Sequence, residues 1–591
     1  MGAPVLESET QHAALGVWRA CYVKRGSRLG RRGPGCCAPQ RSMADNASMQ
    51  TGRRNLTPST LRIGHRYRPT RLNGPYDALV IGSGIGGLTT AALLSEIGWR
   101  VAVLEQHYTA GGATHSYDRN GYEWDVGVHY IGDMGAKTTS RRMMDFLSQG
   151  NLHWAPMDSH YDRFFIGERA YDAVAGREAF RDNVVGYFPR EASAVDRYLE
   201  LLGEVSRGMR TFALGRTLPP WAAAIAGPYL RSRLPRSFGR TTWEVLSEIT
   251  SDRELIAVLT GQWGDLGLPP KRSAWVIQAL VAKHYLHGGY YPVGGAWRIA
   301  ETIIPRIRAA GGEVYTYARV EEVLLREGRV RGVRMADGSE IECACVISDA
   351  GAINTFAHLV PQEASRRHGY DRLLSTVKPS IGHLGVYIGL QGSAAELGLP
   401  KTNYWIYQDN DYDAALDRFV ADPHGPFPAV YISFPSAKDP DFERRHPGRS
   451  TIEIVAPAPY EIFEPWKDTT WGKRGDDYEA LKQAYGERLL EHLYDKLPQL
   501  RGRIDYWEVS TPLSMQWFCG YGRGELYGLD HDPERIRQSW LRPRTRIPGL
   551  WLTGQDVMSC GVTGAMMGGL ASAVSLAGMR RMGPVLKGVF G

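Results

Sequence analysis

YDALVIGSGIGG, residues 76–87, decides the fold of this 591-residue chain. Residues 77–81 form a short, nearly all-apolar run, as a parallel strand buried on both faces requires. Gly82, Gly84 and Gly87 follow in the spacing G-x-G-x-x-G, and residues 88–97 read as a helix rich in Ala and Leu. In that setting the first glycine permits the tight strand-to-helix turn. The second lets a pyrophosphate approach the backbone, and the third lets helix and strand pack closely. The helix N-terminus then faces the phosphates. A second apolar run, 100–104, ends in Glu105, where such a fold needs a carboxylate for a ribose hydroxyl. The order strand, glycines, helix, strand, acid predicts a dinucleotide-binding α/β unit. Glu at this point, without an adjoining Arg, disfavours a 2′-phosphorylated ribose.

NAD and FAD share everything so far; the rest of the chain separates them. Gly111 and Gly112 follow Glu105 after a short spacer, and residues 124–127 (WDVG) follow a turn at Asn120 and Gly121. Near the far end, residues 550–556 (LWLTGQD) read as a buried strand entering a polar turn, with a small-residue helix at 565–576 after Gly561 and Gly564. This arrangement resembles the two-ended signature of FAD enzymes of the phytoene desaturase and amine oxidase type. The resemblance implies that Gly82, Gly84, Gly86 and Gly87 cradle the phosphates and that Glu105 holds the adenosine ribose. It also implies that Gly111 and Gly112 approach the flavin side, that Val320 offers its backbone to the adenine, and that Gly554 and Asp556 meet the ribityl chain or pyrophosphate. No Cys or His stands at a spacing assignable to covalent attachment, so the FAD is expected to be non-covalent. No second G-x-G-x-x-G occurs, so the reductant is external, with NAD(P)H among the possible sources.

The length exceeds what one core usually supports, which predicts two or more lobes. The seven Cys are odd in number and form no C-x-x-C set, so no metal site is expected and a reduced, cytosolic setting fits. The formal charge of +7 is unevenly distributed. Residues 1–70 hold twelve Lys or Arg against three acids, a leader near +9, which leaves the remainder near −2. A basic tail without a reading motif is not a nucleic-acid site. The leader has no continuous apolar core of a secretory signal; it reads as a disordered extension, an organelle transit peptide, or the product of a start upstream of Met43 or Met49. No run reaches the roughly 18 apolar residues of a membrane span. The nearest candidate, residues 219–230, is followed by Arg231, Arg233, Arg236 and Arg240. Segment 219–240 therefore has two readings, peripheral membrane contact or a buried helix with a solvated basic turn. The protein is expected to be cytoplasmic or peripherally membrane-associated.

The predicted architecture is α/β: a Rossmann-like FAD-binding domain with an inserted α+β substrate domain containing an antiparallel sheet. The predicted order is a leader at 1–70, FAD-binding parts at 71–150, 286–360 and 531–591, a helical substrate or membrane-facing part at 151–285, and the substrate domain at 361–530. Helices are expected at 192–205, 241–259, 296–310 and 478–497, the last stopped by Pro498. Strands are expected at 313–317, 320–326, 330–335 and 340–348, with hairpin signals between them, and residues 346–350 read as a strand returning to the nucleotide sheet. An antiparallel sheet is predicted from runs at 384–390, 404–407, 429–434 and 451–455.

Four longer strings sharpen the resemblance: LTGQWGDLGLPP at 259–270, HYLHGGYYPVGG at 284–295, GELYGLDH at 524–531 and TGQDV at 553–557. Through them the chain resembles the carotenoid desaturase and isomerase superfamily over residues 75–580. The resemblance implies an FAD-dependent oxidoreductase acting on C=C bonds of an apolar polyene or isoprenoid, most like the members that saturate the bond. A desaturase, a redox-neutral cis–trans isomerase, an amine oxidase-like enzyme and a non-catalytic flavin- or lipid-binding protein remain alternatives. Saturating C=C needs a hydride, which is reduced-flavin chemistry, and a proton. His129 is the candidate catalytic group; Tyr130, Lys283, His284 and Tyr285 are the other candidate acids. Trp263, Asp265, Tyr285 and Tyr290 are expected to line the substrate cavity, with Trp263 and Asp265 read as loop residues and not as acid–base groups.

Overall fold

The structure, a computed structural model, describes residues 59–590. The leader up to residue 58, with both alternative start methionines, lies outside them. At the centre is a six-stranded sheet in the order His65–Arg66, Glu313–Thr316, Val101–Leu104, Ala78–Ile81, Val346–Ser348, Leu550–Leu552. Every neighbouring pair is parallel. The strand of the opening motif lies inside the sheet with all four residues buried, which is why it reads as an unbroken apolar run. Helix Ile85–Glu96 packs between helices Arg298–Ala309 and Gly561–Ala577. The two ends of the chain thus meet on one sheet, as the paired motifs predict.

The inserted domain is built on a seven-stranded sheet: Ile504–Ser510, Gly382–Gln391, Arg449–Ala458, Val430–Ser433, Asn403–Tyr407, His160–Ile166, Arg169–Val174. All neighbours are antiparallel except Asn403–Tyr407 with His160–Ile166, which run parallel. Helix Asp476–Lys496 buries its Leu481, Leu489 and Leu493 face against this sheet. Hairpin Ser116–Arg119/Tyr122–Asp125 seats the nucleotide domain on it: Trp124 is buried and donates its Nε1–H to Ile388 O at 3.0 Å. A partly buried Arg445 holds the same junction, reaching Glu123 at 2.7 Å and Asp439 at 2.8 Å.

Three sequence expectations change. Segment 151–285 is not purely helical, because its strands His160–Ile166 and Arg169–Val174 complete the large sheet. The single strand expected at 340–348 is two: Glu340–Glu342 closes a small antiparallel sheet and Val346–Ser348 enters the parallel one. The return of residues 346–350 to the nucleotide sheet is as expected from their sequence. The helix expected at 241–259 is also two, Thr242–Leu246 and Arg253–Leu259. Asp252 causes the break: its carboxylate accepts the N–H groups of Glu254 and Leu255 and caps a new helix instead of extending the old one.

Candidate active site

The glycine loop and the second glycine pair lie against each other. Gly82 sits at φ +95°, in the left-handed region, and turns the chain into the helix. Gly84 bridges Gly111, and a Cβ on Gly112 would lie 2.8 Å from the Cα of Gly84. A Cβ on Gly86 would lie 2.4 Å from the Cα of Gly554, so the two ends of the signature touch through backbone alone. Glu105 is buried; one oxygen accepts the Ser83 N–H at 2.9 Å and hydroxyl at 2.7 Å, and the other accepts His107 N–H at 2.7 Å. Two carboxylate oxygens offer about four acceptor sites, so capacity for a ribose hydroxyl is left. The turn before Val320 runs beside this acid: Tyr317 N–H donates to His107 O and Ala318 N–H to Glu105 O. A side-chain-free cradle at a helix N-terminus, with an acid at the end of the neighbouring strand, fits a dinucleotide.

Both oxygens of Asp556 accept backbone N–H groups, from Ala352 at 2.7 Å and Leu529 at 3.4 Å. The acid that touches the glycines is Asp349, which sequence reasoning did not single out. Its carboxyl oxygens stand where Cβ atoms on Gly84, Gly86 and Gly554 would go, at 2.6, 2.6 and 2.1 Å. Burial, with Glu105 and Asp556 nearby, pushes it up to about 8, against the Gly87 N–H that favours the anion. One signal existed. Asp349 ends the parallel strand Val346–Ser348 beside the glycine strand, at the carboxyl edge where ligands of open α/β sheets bind.

Between the cradle and the large sheet lies a buried polar array. His129 Nδ1 meets Glu453 Oε2 at 2.7 Å, and Glu453 Oε1 accepts Asp125 N–H at 2.8 Å. Burial and Lys438 hold His129 down to about 3, and burial holds Glu453 up to about 8, so the pair is a neutral acid–imidazole hydrogen bond. Lys438 is buried with its Nζ on Asn403 Oδ1, on Ser433 Oγ at 2.7 Å and on His129 O at 3.0 Å, and burial lowers it to about 7. Asp162 accepts from Tyr130 at 2.8 Å, Gln262 at 2.8 Å and Asn403 at 2.9 Å. Asp265 Oδ2 lies 3.3 Å from the same Tyr130 hydroxyl. Tyr130 stacks on Tyr285 at 4.2 Å between ring centroids.

The candidate residues therefore separate. His129, Tyr130, Asp265 and Tyr285 converge. Trp263 is fully buried and packs on Tyr407 and Tyr412, so it is core and not a cavity wall. The expectation fails because a loop tryptophan of high glycine context reads alike whether it faces in or out. Tyr290 packs on the other side, against the nucleotide-domain core. His284 accepts Gly132 N–H at 2.8 Å, and Lys283 is exposed. Asp162, Lys438 and Glu453 escaped the sequence reading, since each stands alone in its strand or turn.

The basic segment resolves differently from its buried alternative. Helix Pro220–Ser232 presents Trp221, Ile225 and Tyr229 at 71%, 76% and 63% exposure, four residues apart on one face. Arg231, Arg233 and Arg236 adjoin it exposed, while Arg240 pairs with Glu248 at 2.7 Å. Among the described residues no helix is long and apolar enough to cross a membrane, and no group of His, Cys, Asp and Glu could hold a metal.

Comparison with known proteins agrees with this construction. The NAD(P)-binding Rossmann-like domain profile matches residues 80–148. An engineered putrescine oxidase has the same fold, with a TM-score of 0.56 at 16% identity over 85% of this chain and 99% of that one. Prolycopene isomerase of Arabidopsis thaliana is 26% identical over 83% of this chain and 82% of its own. The all-trans-retinol 13,14-reductase of Macaca fascicularis is 39% identical over 523 residues, 85% of this chain and 86% of its own. With that identity over more than four-fifths of both sequences, the chain belongs to the all-trans-retinol 13,14-reductase family.

Proposed function

We propose that this protein is a flavin-dependent oxidoreductase that saturates a C=C bond of an apolar, conjugated polyene, with all-trans-retinol as the first substrate to try. The observation that carries the reading is the complete cradle, Gly82 to Gly87 against Gly112 and Gly554, in the same fold as a buried array of tyrosines and acids around Tyr130, Asp162 and Asp265. Glu105 would take the ribose and the glycine loops the pyrophosphate and the flavin side, with the FAD held non-covalently. Bound FAD in its reduced form supplies the hydride. The chain itself orients the polyene against aromatic faces, excludes water and delivers the proton. The exposed Trp221, Ile225, Tyr229 face with its adjoining arginines supports contact with an anionic membrane surface, from which an apolar substrate can be drawn. The electron donor is external.

The test is anaerobic. FAD-loaded enzyme is reduced chemically and mixed with all-trans-retinol, and flavin reoxidation is followed with product mass. Stoichiometric reoxidation with a gain of two mass units is expected. A product of unchanged mass with the flavin still reduced would replace this reading by the isomerase one.

A further inference from the structure

We propose that Asp265 is the proton donor for the C=C reduction and that Tyr130 is the residue that positions it, an assignment that rests on the reductase reading above. The geometry carries it. Tyr130 stands between two carboxyl groups, 2.8 Å from Asp162 Oδ2 and 3.3 Å from Asp265 Oδ2. The two acids differ sharply in their other partners. Asp162 is fully buried and keeps Asn403 Nδ2 at 2.9 Å and Gln262 Nε2 at 2.8 Å, so it is satisfied as an anion without the phenol. Asp265 is only partly buried, and among the described residues no hydrogen bond engages its Oδ1. A carboxyl with one weak contact, beside a carboxylate with three donors, is the member of the pair that carries the proton.

The resting chain is then Asp265 O–H to Tyr130 oxygen, and Tyr130 O–H to Asp162. Asp265 also lies at the seam between domains. Its carbonyl accepts from Cys560 Sγ at 3.7 Å, directly before the C-terminal cradle helix Gly561–Ala577, and Tyr527 bonds the next carbonyl back, Gly264 O, at 3.0 Å. Tyr285 and Tyr431 flank Tyr130 as stacked rings. The charged and titratable groups facing this acid are thus Asp162, Tyr130, Tyr285, Tyr407, Tyr431, Tyr527 and Cys560. Burial and Asp162 push this carboxyl well above the ordinary carboxylate range, the direction that favours its protonated form.

The step balances. One carbon of the C=C would accept the hydride given up by reduced flavin, which is thereby oxidised by two electrons, and the other takes the Asp265 proton, so two C–H bonds form while the π bond, the hydride donor's bond to hydrogen and the Asp265 O–H bond break. As the carboxylate appears, the Tyr130 hydroxyl turns from Asp162 to Asp265, and Asp162 remains held by Gln262 and Asn403. Water reprotonates Asp265 when product leaves.

Asp265→Asn, Tyr130→Phe and the wild type, all FAD-loaded, test this with two independent readouts. The infrared spectrum of the wild type at pH 7 should contain a protonated-carboxyl C=O band that Asp265→Asn lacks. In single turnover from reduced flavin with all-trans-retinol, Asp265→Asn should bind retinol as the wild type does but reoxidise about 10²–10⁴-fold more slowly. Tyr130→Phe should retain the band and move the alkaline limb of the rate profile upward, because the phenol favours the carboxylate; a merely structural role would not move that limb. A wild type that reoxidises while Asp265→Asn keeps its rate, or an unchanged infrared band, overturns the assignment alone. A wild type inert toward retinol overturns the reductase reading and the assignment with it.

Discussion

The contact between the two ends of the signature makes a quantitative prediction at Gly86. A Cβ there would lie 2.4 Å from Gly554 Cα, 2.9 Å from Gly554 N and 2.6 Å from Asp349 Oδ1. Carbon atoms settle at about 3.5–4.0 Å, so Gly86→Ala requires the loops to part by roughly 1 Å. The obstacle is backbone, and a rotamer change cannot relieve it. Overpacking of this kind costs about 1–3 kcal/mol, partly offset by the better helix propensity of Ala, under about 1 kcal/mol. If the apoprotein relaxes by parting the two halves, FAD must draw them together again, and the cost appears in affinity. One to three kcal/mol corresponds to about 5- to 150-fold in Kd. The assay is titration of apoprotein with FAD, followed by flavin fluorescence quenching, beside a thermal melt. Gly186→Ala is the control: it lies in helix Arg177–Tyr187 with nothing within 4 Å of its would-be Cβ, and it should match or slightly exceed the wild type. Gly86→Ala with the wild-type Kd and Tm would refute the close approach of the two loops.

Asp349 predicts a pH signature. Its folded value near 8 lies above the ordinary 3.8, so between about pH 4 and 8 the folded chain binds the proton that the unfolded chain has lost. Stability contributed by this group is therefore full below about pH 4 and is lost as pH rises through about 8; Asp349→Asn should flatten the apoprotein Tm profile over that window, and parallel profiles would count against the buried neutral acid. At the membrane face, replacing Trp221, Ile225 and Tyr229 together with Ser should reduce co-sedimentation with anionic vesicles at least about tenfold without changing Tm, since all three side chains are exposed. Raising salt should weaken wild-type binding through the arginines, and equal partitioning of triple variant and wild type would dismiss the contact.

The local grammar of the chain sufficed for the nucleotide half. A strand buried on both faces, glycines forced by a positive φ or a backbone approach, and an acid at the next strand end are each properties of a few adjacent residues, and they identify themselves in one dimension. The long helix Asp476–Lys496 and four of the seven strands of the large sheet were legible as apolar runs, while His160–Ile166, Arg169–Val174 and Ile504–Ser510 were not. The four family strings carried the substrate class by resemblance.

The chemistry at the centre depended on tertiary structure. Tyr130, Asp162, Asp265, Asn403 and Lys438 come from five separate segments, and their hydrogen bonds exist only because the parallel pairing of Asn403–Tyr407 with His160–Ile166 sets Asn403 opposite Asp162. A slip of one residue would send either side chain to the opposite face of the sheet, and nothing within either strand specifies the register. Trp263 and Asp265 make the same point within one loop. Two residues apart in a glycine-rich stretch, they look equivalent as sequence, yet the fold buries the indole completely and leaves the carboxyl beside a phenol. Amphipathic periodicity encodes burial; the convergence of polar groups from distant segments has no period to read, and only the packed chain determines it.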